Sequence, residues 1–476
     1  MSGTDTFPHR SSHRGSGIRI CRIAGWLSLC LAVLVSGCTT EMVTLRSTPH
    51  RPLDEMLNVG RWGGPKPGER TQLFLRMYDL EDTFARDPDA ALKQIRDVLR
   101  QQLVAEHVCY FAELCYVAGC RVEKQDPDSA AEYFAATTIA SCCYLFHPTF
   151  VQERNPYDPM FRSACDLYNG SLEKSLRLVS QRRTLLPDRQ YDLDFQGERQ
   201  TISTRLRNSS WKPTQVDHFE FVADYQLEGL QNHHRTYGLG VPLIAVCKLP
   251  EERHGPDRCL PPSCCFPVTA FLRPDMSLLP GDGTAGPIIH TLDLYDTSRE
   301  TYADFAGQSV SLETDFSTVL AWQLSDTDDM KISTLGLLRP DRMLGSLNFP
   351  DWNGTIAGFS GETSSESSVG TSTESTADTT VSLRQQLVDP TSGEKTVRVI
   401  GRSDSSNQGR IAGLYMVQPY EPGRIPVVMI HGLWSSPMTW IQMFNDLHAD
   451  PVIRDRYQFW FYLYPTALPY WSSAAL

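Results

Sequence analysis

Three places in the sequence combine residue types and spacing that can do chemistry. At Val35-Ser36-Gly37-Cys38 a thiol, which can act as a nucleophile, follows three small residues. At His431-Gly432-Leu433-Trp434-Ser435-Ser436 an imidazole, an indole and two hydroxyls stand directly behind six apolar residues, Ile425 to Ile430. Cys259, Cys264 and Cys265 read as sitting in a Pro-rich loop (Pro261, Pro262, Pro267), where thiols so close in sequence are disulfide candidates in an exported chain. His254 is near them, but the spacing fits no standard zinc-ligand pattern, and neither a metal nor a cofactor is expected.

The element that positions Cys38 is a leader. Arg10, Arg14, Arg19 and Arg22 precede the apolar stretch Ile23 to Val35, whose 13 residues fall short of the roughly 20 that a spanning helix needs. Basic region, apolar region and cleavage site together resemble the signal of bacterial lipoproteins, which implies a signal peptide over 1–37 and lipid attachment at Cys38. Its removal takes four Arg and Asp5 away and moves the charge from −12 to −15. A mature chain this acidic gains nothing from an anionic leaflet, so membrane attachment would rest on lipid alone. No Lys/Arg cluster marks a nucleic-acid face, so no nucleic-acid partner is expected. The expected place is the cell envelope.

The elements around His431 read as an α/β unit. Leu414 to Val417 is a strand, and Ile425 to Ile430 is a second, apolar at every position as in a parallel sheet covered on both faces. Ser436 and Pro437 are N-cap and first-turn residues of a helix whose apolar face is Trp440, Met443, Phe444 and Leu447. Asp450-Pro451 ends it, and Tyr457 to Tyr464, with six aromatics in eight residues, forms a further strand.

On Pro426-Val427-Val428-Met429-Ile430-His431-Gly432-Leu433-Trp434-Ser435-Ser436 and Trp440, this segment resembles the α/β-hydrolase superfamily, nearest its lipases and esterases. The resemblance covers residues 410–476. It implies that Leu433 offers a backbone N–H to the oxyanion hole, that His431 and Gly432 form the supporting turn, and that Trp434 lines the substrate pocket. It also implies a Gly-x-Ser-x-Gly elbow, an acid and a base further along. None is present: Gly358-Phe359-Ser360-Gly361 lacks the spacing, and His431 and His448 precede the elbow's place. The expectation is a fragment or truncated copy of an exported, lipid-anchored serine hydrolase acting on esters or lipids. Its triad would lie beyond Leu476, its doubly wound sheet would be incomplete, and the strand at Tyr457 to Tyr464 would be an exposed edge.

The rest of the chain reads as a multi-domain scaffold. Residues 38–70 carry Pro and Gly and little periodicity, as a tether would. Residues 71–185 are helical, with stripes at Leu92, Ile95, Leu99, Leu103 and at Phe161, Cys165, Tyr168, Leu172, Leu176, Val179. Asp87-Pro88-Asp89 and Asp126-Pro127-Asp128 open helices 39 residues apart, compatible with a tetratricopeptide-like array or a plain bundle. Cys109, Cys115, Cys120, Cys142, Cys143 and Cys165 fall in these helices and read as small buried hydrophobes. Residues 190–358 are β-rich, with short runs at Phe219-Glu220-Phe221, Val241 to Val246, Val268 to Leu272, Leu292 to Leu294 and Val319 to Leu324. Residues 360–380 hold 13 Ser/Thr among 21, the composition of a disordered linker, assigned to 359–382; the hydrolase-like segment is assigned to 405–476. The alternative function is a non-catalytic lipoprotein whose helices at 71–180 bind a protein partner.

Overall fold

Both Asp-Pro-Asp triplets open helices. In the computed structural model, residues 42–57, 59, 64–195, 198–250, 259–261, 263–274, 288–326, 413–432 and 437–464 are described. The expected leader with Cys38, the Ser/Thr-rich stretch, Leu433 to Ser436 and residues 465–476 lie outside them. All described residues belong to one compact unit.

The helices are α1 (Pro52–Met56), α2 (Glu69–Met77), α3 (Glu81–Arg86), α4 (Pro88–Gln101), α5 (Ala105–Val122), α6 (Pro127–Phe146) and α7 (Pro159–Arg182). Asp87 accepts the amide of Ala90, and Asp126 accepts those of Asp128 and Ser129, so each triplet caps its helix as its residue types require. Each also opens a helix pair, α4/α5 and α6/α7. The stretch expected to be a tether joins the fold instead: β1 (Val43–Leu45) pairs with a later strand, and Leu53 and Leu57 are buried in the main core.

Helix α7 has two buried sides. The expected stripe is there, with Tyr168, Leu172 and Leu176 buried, but Ala164, Leu167, Ser171, Lys174 and Leu178 are buried as well. Lys174, 2% exposed, is held by Glu123 at 2.8 Å and Asp54 at 3.7 Å, its ammonium packed over the Phe134 ring.

The remaining strands are β2 (Gln190–Phe195), β3 (Glu198–Arg207), β4 (Val216–Phe221), β5 (Tyr225–Leu227), β6 (Arg235–Thr236), β7 (Val241–Lys248), β8 (Ser263–Arg273), β9 (Ile288–Asp296), β10 (Tyr302–Phe305), β11 (Gln308–Ser311), β12 (Thr314–Asp315), β13 (Gly413–Met416), β14 (Ile425–Ile430) and β15 (Tyr457–Leu463). Six of them form a mixed sheet, β2-β3-β9-β8-β7-β4, antiparallel except for β3/β9. Helix α7 is fastened to it through the Tyr168 hydroxyl, which donates to the Leu272 carbonyl at 2.7 Å, and to the connection leading into β7 through the Asn169 amide, which donates to the Gly238 carbonyl at 2.9 Å.

Four expectations need correction here. The run Val319 to Leu324 is not a strand but part of a helix, α8 (Phe316–Asp326). The helix is buried nearly all round, with Ser317, Thr318 and Gln323 buried among its apolar residues, so no solvated face sets a period, and Asp315 caps it by accepting the Thr318 amide at 2.8 Å. Cys264 and Cys265 are strand residues, not loop residues. They face opposite sides of β8, Cys264 into the main core and Cys265 against α8, and neither they nor Cys259 is held in a disulfide.

The other two concern the C-terminal sheet, whose order is β13-β15-β14. Strand β15 is central, antiparallel to β13 and parallel to β14. Among the described residues it is β14 that forms an edge. Ile425, Val428 and Ile430 are 55%, 45% and 57% exposed, and only Met429 of this strand is buried. Its continuous hydrophobicity therefore does not signal cover on both faces. The inward side meets Phe459 and Phe461 of β15, Ala321 and Leu324 of α8, and Ile441 and Phe444 of α9 (Ile441–Ala449). Helix α9 starts after a 3₁₀ turn, Pro437–Trp440, and buries Ile441, Phe444 and Asn445, leaving Met443 exposed. Asp450 ends α9 and caps α10 (Pro451–Arg456) through the amides of Val452 and Ile453.

Candidate functional site

The His431-Gly432 turn sits where β14 ends, two residues beyond the buried Met429. Strand β15 lies alongside, with Ile430 opposite Tyr462, so Tyr464 reaches the turn. The Tyr464 hydroxyl donates to the His431 carbonyl at 2.7 Å, and the two rings stack with centroids 4.4 Å apart. The backbone amide of Tyr464 can only donate, and it points at His431 Nε2 at 3.4 Å. The imidazole proton therefore sits on Nδ1, which faces the Gly432 carbonyl at 3.1 Å. Burial, with only 2% of the residue exposed, holds the imidazole below its ordinary pKa and keeps it neutral. Both ring nitrogens are engaged, so His431 ties the ends of two parallel strands together and has no nitrogen left to act as a base.

Gly432 is exposed, and a Cβ there would meet no atom within 4 Å. Among the described residues, nothing packed around the turn demands glycine. Of the residues expected at this site, the structure brings His431 and Gly432 together; Leu433 and Trp434, like Cys38, lie outside the described residues.

A second constellation was not visible in the sequence. Strands β6 and β12 pair antiparallel, with Arg235 opposite Asp315. Along this ribbon His233 Nε2 donates to Asp315 at 2.8 Å, and the Arg235 guanidinium pairs with Glu313, a diagonal set one step apart on each strand. Asp315 and Glu313 are buried, and burial raises the pKa of Glu313 against the opposing pull of Arg235. The one local signal is the alternation His233-x-Arg235 against Glu313-x-Asp315, charges of opposite sign at a strand period but nearly 80 residues apart.

The neighbouring loop clamps the C-terminal sheet to the rest of the unit. The amide of Gln231 donates to Gln442 at 2.9 Å, and Asn232 and His234 both donate to Asp446, at 2.9 and 2.7 Å. Ser317 of α8 donates to Asn445 at 2.8 Å. Hydrogen bonding from His234, then from Asn232, holds the Asp446 carboxyl below its usual range.

Between α7 and the strands β6, β7 and β11 lies a cavity of about 520 Å³. Phe146, Phe161, Phe221 and Val241 are among its apolar walls; His233, Arg235, Glu313 and Asp315 line it too. His431 and Gly432 do not, so the turn and the cavity are separate places. Among the described residues no group of His, Cys, Asp and Glu is arranged to hold a metal, and no helix is long and apolar enough to cross a membrane. No protein-family model, no curated protein and no solved structure matches the chain.

Proposed function

We propose that the C-terminal segment is the oxyanion-loop portion of an α/β-hydrolase-type ester or lipid hydrolase, carried on an exported protein anchored through lipidated Cys38. One observation carries this reading: β14 and β15 are a parallel pair joined through α9 and α10, and the His431-Gly432 turn stands at the carboxyl end of β14. In α/β sheets ligands bind outside the carboxyl ends of parallel strands. In this reading Leu433 donates its amide to a carbonyl oxygen, Trp434 lines the acyl pocket, and His431 positions the turn. The chain's own contribution is polarisation of the carbonyl. Attack needs a serine on an elbow, and no Gly-x-Ser-x-Gly occurs in this sequence. The helix pairs opened by Asp87 and Asp126 support a tetratricopeptide-like scaffold beside it.

The test is made on the native gene product, recovered from the cell envelope and treated with a fluorophosphonate. Covalent labelling of one serine, with turnover of nitrophenyl esters, is the expected result. Absence of both, with Cys38→Ser still moving the protein from the membrane pellet to the soluble fraction, would refute the enzyme and leave a non-catalytic lipoprotein.

A further inference from the structure

We propose that the cavity beside α7 binds an amphiphilic oxyanion: a carboxylate or phosphate head on an apolar body. This does not rest on the hydrolase reading, since the His431 turn is elsewhere. The cavity's volume of about 520 Å³ lies in the range of sites for small organic molecules. Leu53, Phe146, Phe161, Phe221, Leu239 and Val241 give it walls that suit a hydrocarbon.

The charged side chains of the lining decide the sign of the head group. Each of the four acids is already engaged: Asp166 by Arg162 at 3.0 Å, Glu173 by Arg51 at 3.0 Å and Arg177 at 2.8 Å, Glu313 by Arg235 and by the Asn169 amide, Asp315 by His233 and the Thr318 amide. A cationic ligand would find no free carboxylate among these. The donors are in surplus. The guanidinium carbons of Arg162 and Arg235 lie 5.9 and 5.1 Å from the centroid of one ring, that of Tyr237, which is 67% exposed. Two cations of the lining thus converge on one exposed tyrosine.

Arg235 adds the more telling observation. Its Nε is buried and has no acceptor among the described residues. A buried N–H left unpaired carries the full cost of its lost hydration; closed to water as it stands, this Nε would meet a ligand's acceptor oxygen on a turn of the Arg235 side chain into the cavity, which would remove that cost. The guanidinium fork suits a carboxylate or phosphate, which accepts two parallel N–H bonds. The apolar body would then lie against the phenylalanines below.

The experiment is isothermal titration of the full chain with decanoate, decyl phosphate and decanol, each below its micelle-forming concentration. Saturable one-to-one binding of at least one anion, at least about tenfold tighter than decanol, is expected from one charge-assisted contact. Binding of decanoate alone points to a fatty-acid source, and binding of decyl phosphate alone to a phospholipid or phosphoester source. Arg162→Gln, at an exposed position, and Arg235→Lys, which keeps the charge facing Glu313 but removes Nε, should each weaken the anion by about tenfold. Circular dichroism checks that both variants remain folded. No saturable binding of either anion, decanol binding as tightly as the anions, or unchanged affinity in both folded variants would overturn the proposal.

Discussion

Replacing Gly119 by alanine sets two effects of opposite sign against each other, and the geometry decides between them. Gly119 lies inside α5, where alanine is favoured over glycine by about 1 kcal/mol in an unobstructed helix. Here the added Cβ would stand 2.7 Å from Phe134 Cε1, 3.0 Å from Cδ1 and 3.1 Å from Cζ. Carbon atoms in contact prefer about 3.5–4.0 Å, so the methyl overlaps a whole ring edge rather than one atom. The ring has little room to retreat. It is fully buried, the Tyr116 ring lies 5.6 Å away, and the Lys174 ammonium sits 5.4 Å from its centroid. Overpacking of this kind costs about 1–3 kcal/mol, and a rigid ring wedged against a buried ion pair belongs at the upper end. Gly119→Ala should therefore lower the unfolding free energy by roughly 1–2 kcal/mol net. Urea denaturation followed by far-ultraviolet circular dichroism reads this directly. A double-mutant cycle adds the mechanism: in a Phe134→Leu background the same alanine should be neutral or stabilising. If Gly119→Ala is as stable as the parent while Phe134 is intact, the α5–α6 contact does not have the tightness described.

Three further outcomes follow from other parts of the unit. Burial pushes the Asp296 carboxyl up to about 6, against hydrogen bonds from Ser209 and Ser298. The folded chain therefore holds that proton more tightly than the unfolded chain does. Stability from this group is full below about pH 4 and is lost as pH rises through about 6, on the order of 2–3 kcal/mol, and Asp296→Asn should flatten the urea midpoint across that window. Gly432→Ala should leave the unfolding free energy unchanged to within about 0.5 kcal/mol, because its methyl meets none of the described residues within 4 Å; any ester turnover of the native protein should fall, since a substrate at the turn would feel that methyl. Tyr168→Phe leaves the buried Leu272 carbonyl without its donor and should cost about 1–2 kcal/mol in the same denaturation assay.

How much could be read beforehand depended on whether the signal was local. The Asp-Pro-Asp caps were legible because a cap acts within three residues of itself. So was the placement of His431-Gly432 behind a strand and before a helix. Whether β14 is central or at an edge was not legible, because cover on a strand's faces and flanks is decided by elements distant in sequence. Helix α8 was misread for a related reason: buried nearly all round, it has no solvated face to set a period of 3.6. The His233–Asp315 and Arg235–Glu313 ribbon escaped because its strands are two residues long. Lys174 escaped because a lysine in a helical pattern ordinarily reads as solvated, while its two acids come from α1 and the end of α5.

That α7 has one side among the helices and the other on the mixed sheet bears on how the protein can be taken apart. Tyr168 and Asn169 point their hydrogen bonds at the sheet and the connection into β7, whereas Ser171 and Lys174 face the helices. A protease cutting near residue 185 would not liberate a self-sufficient helical piece, because the sheet-facing side of α7 would be stripped of its cover. Calorimetry should accordingly record the helices and the six-stranded sheet melting in a single transition. Whatever occupies the cavity against α7 would raise the melting point of both layers together, so a ligand could be found by heat alone, before its chemistry is known.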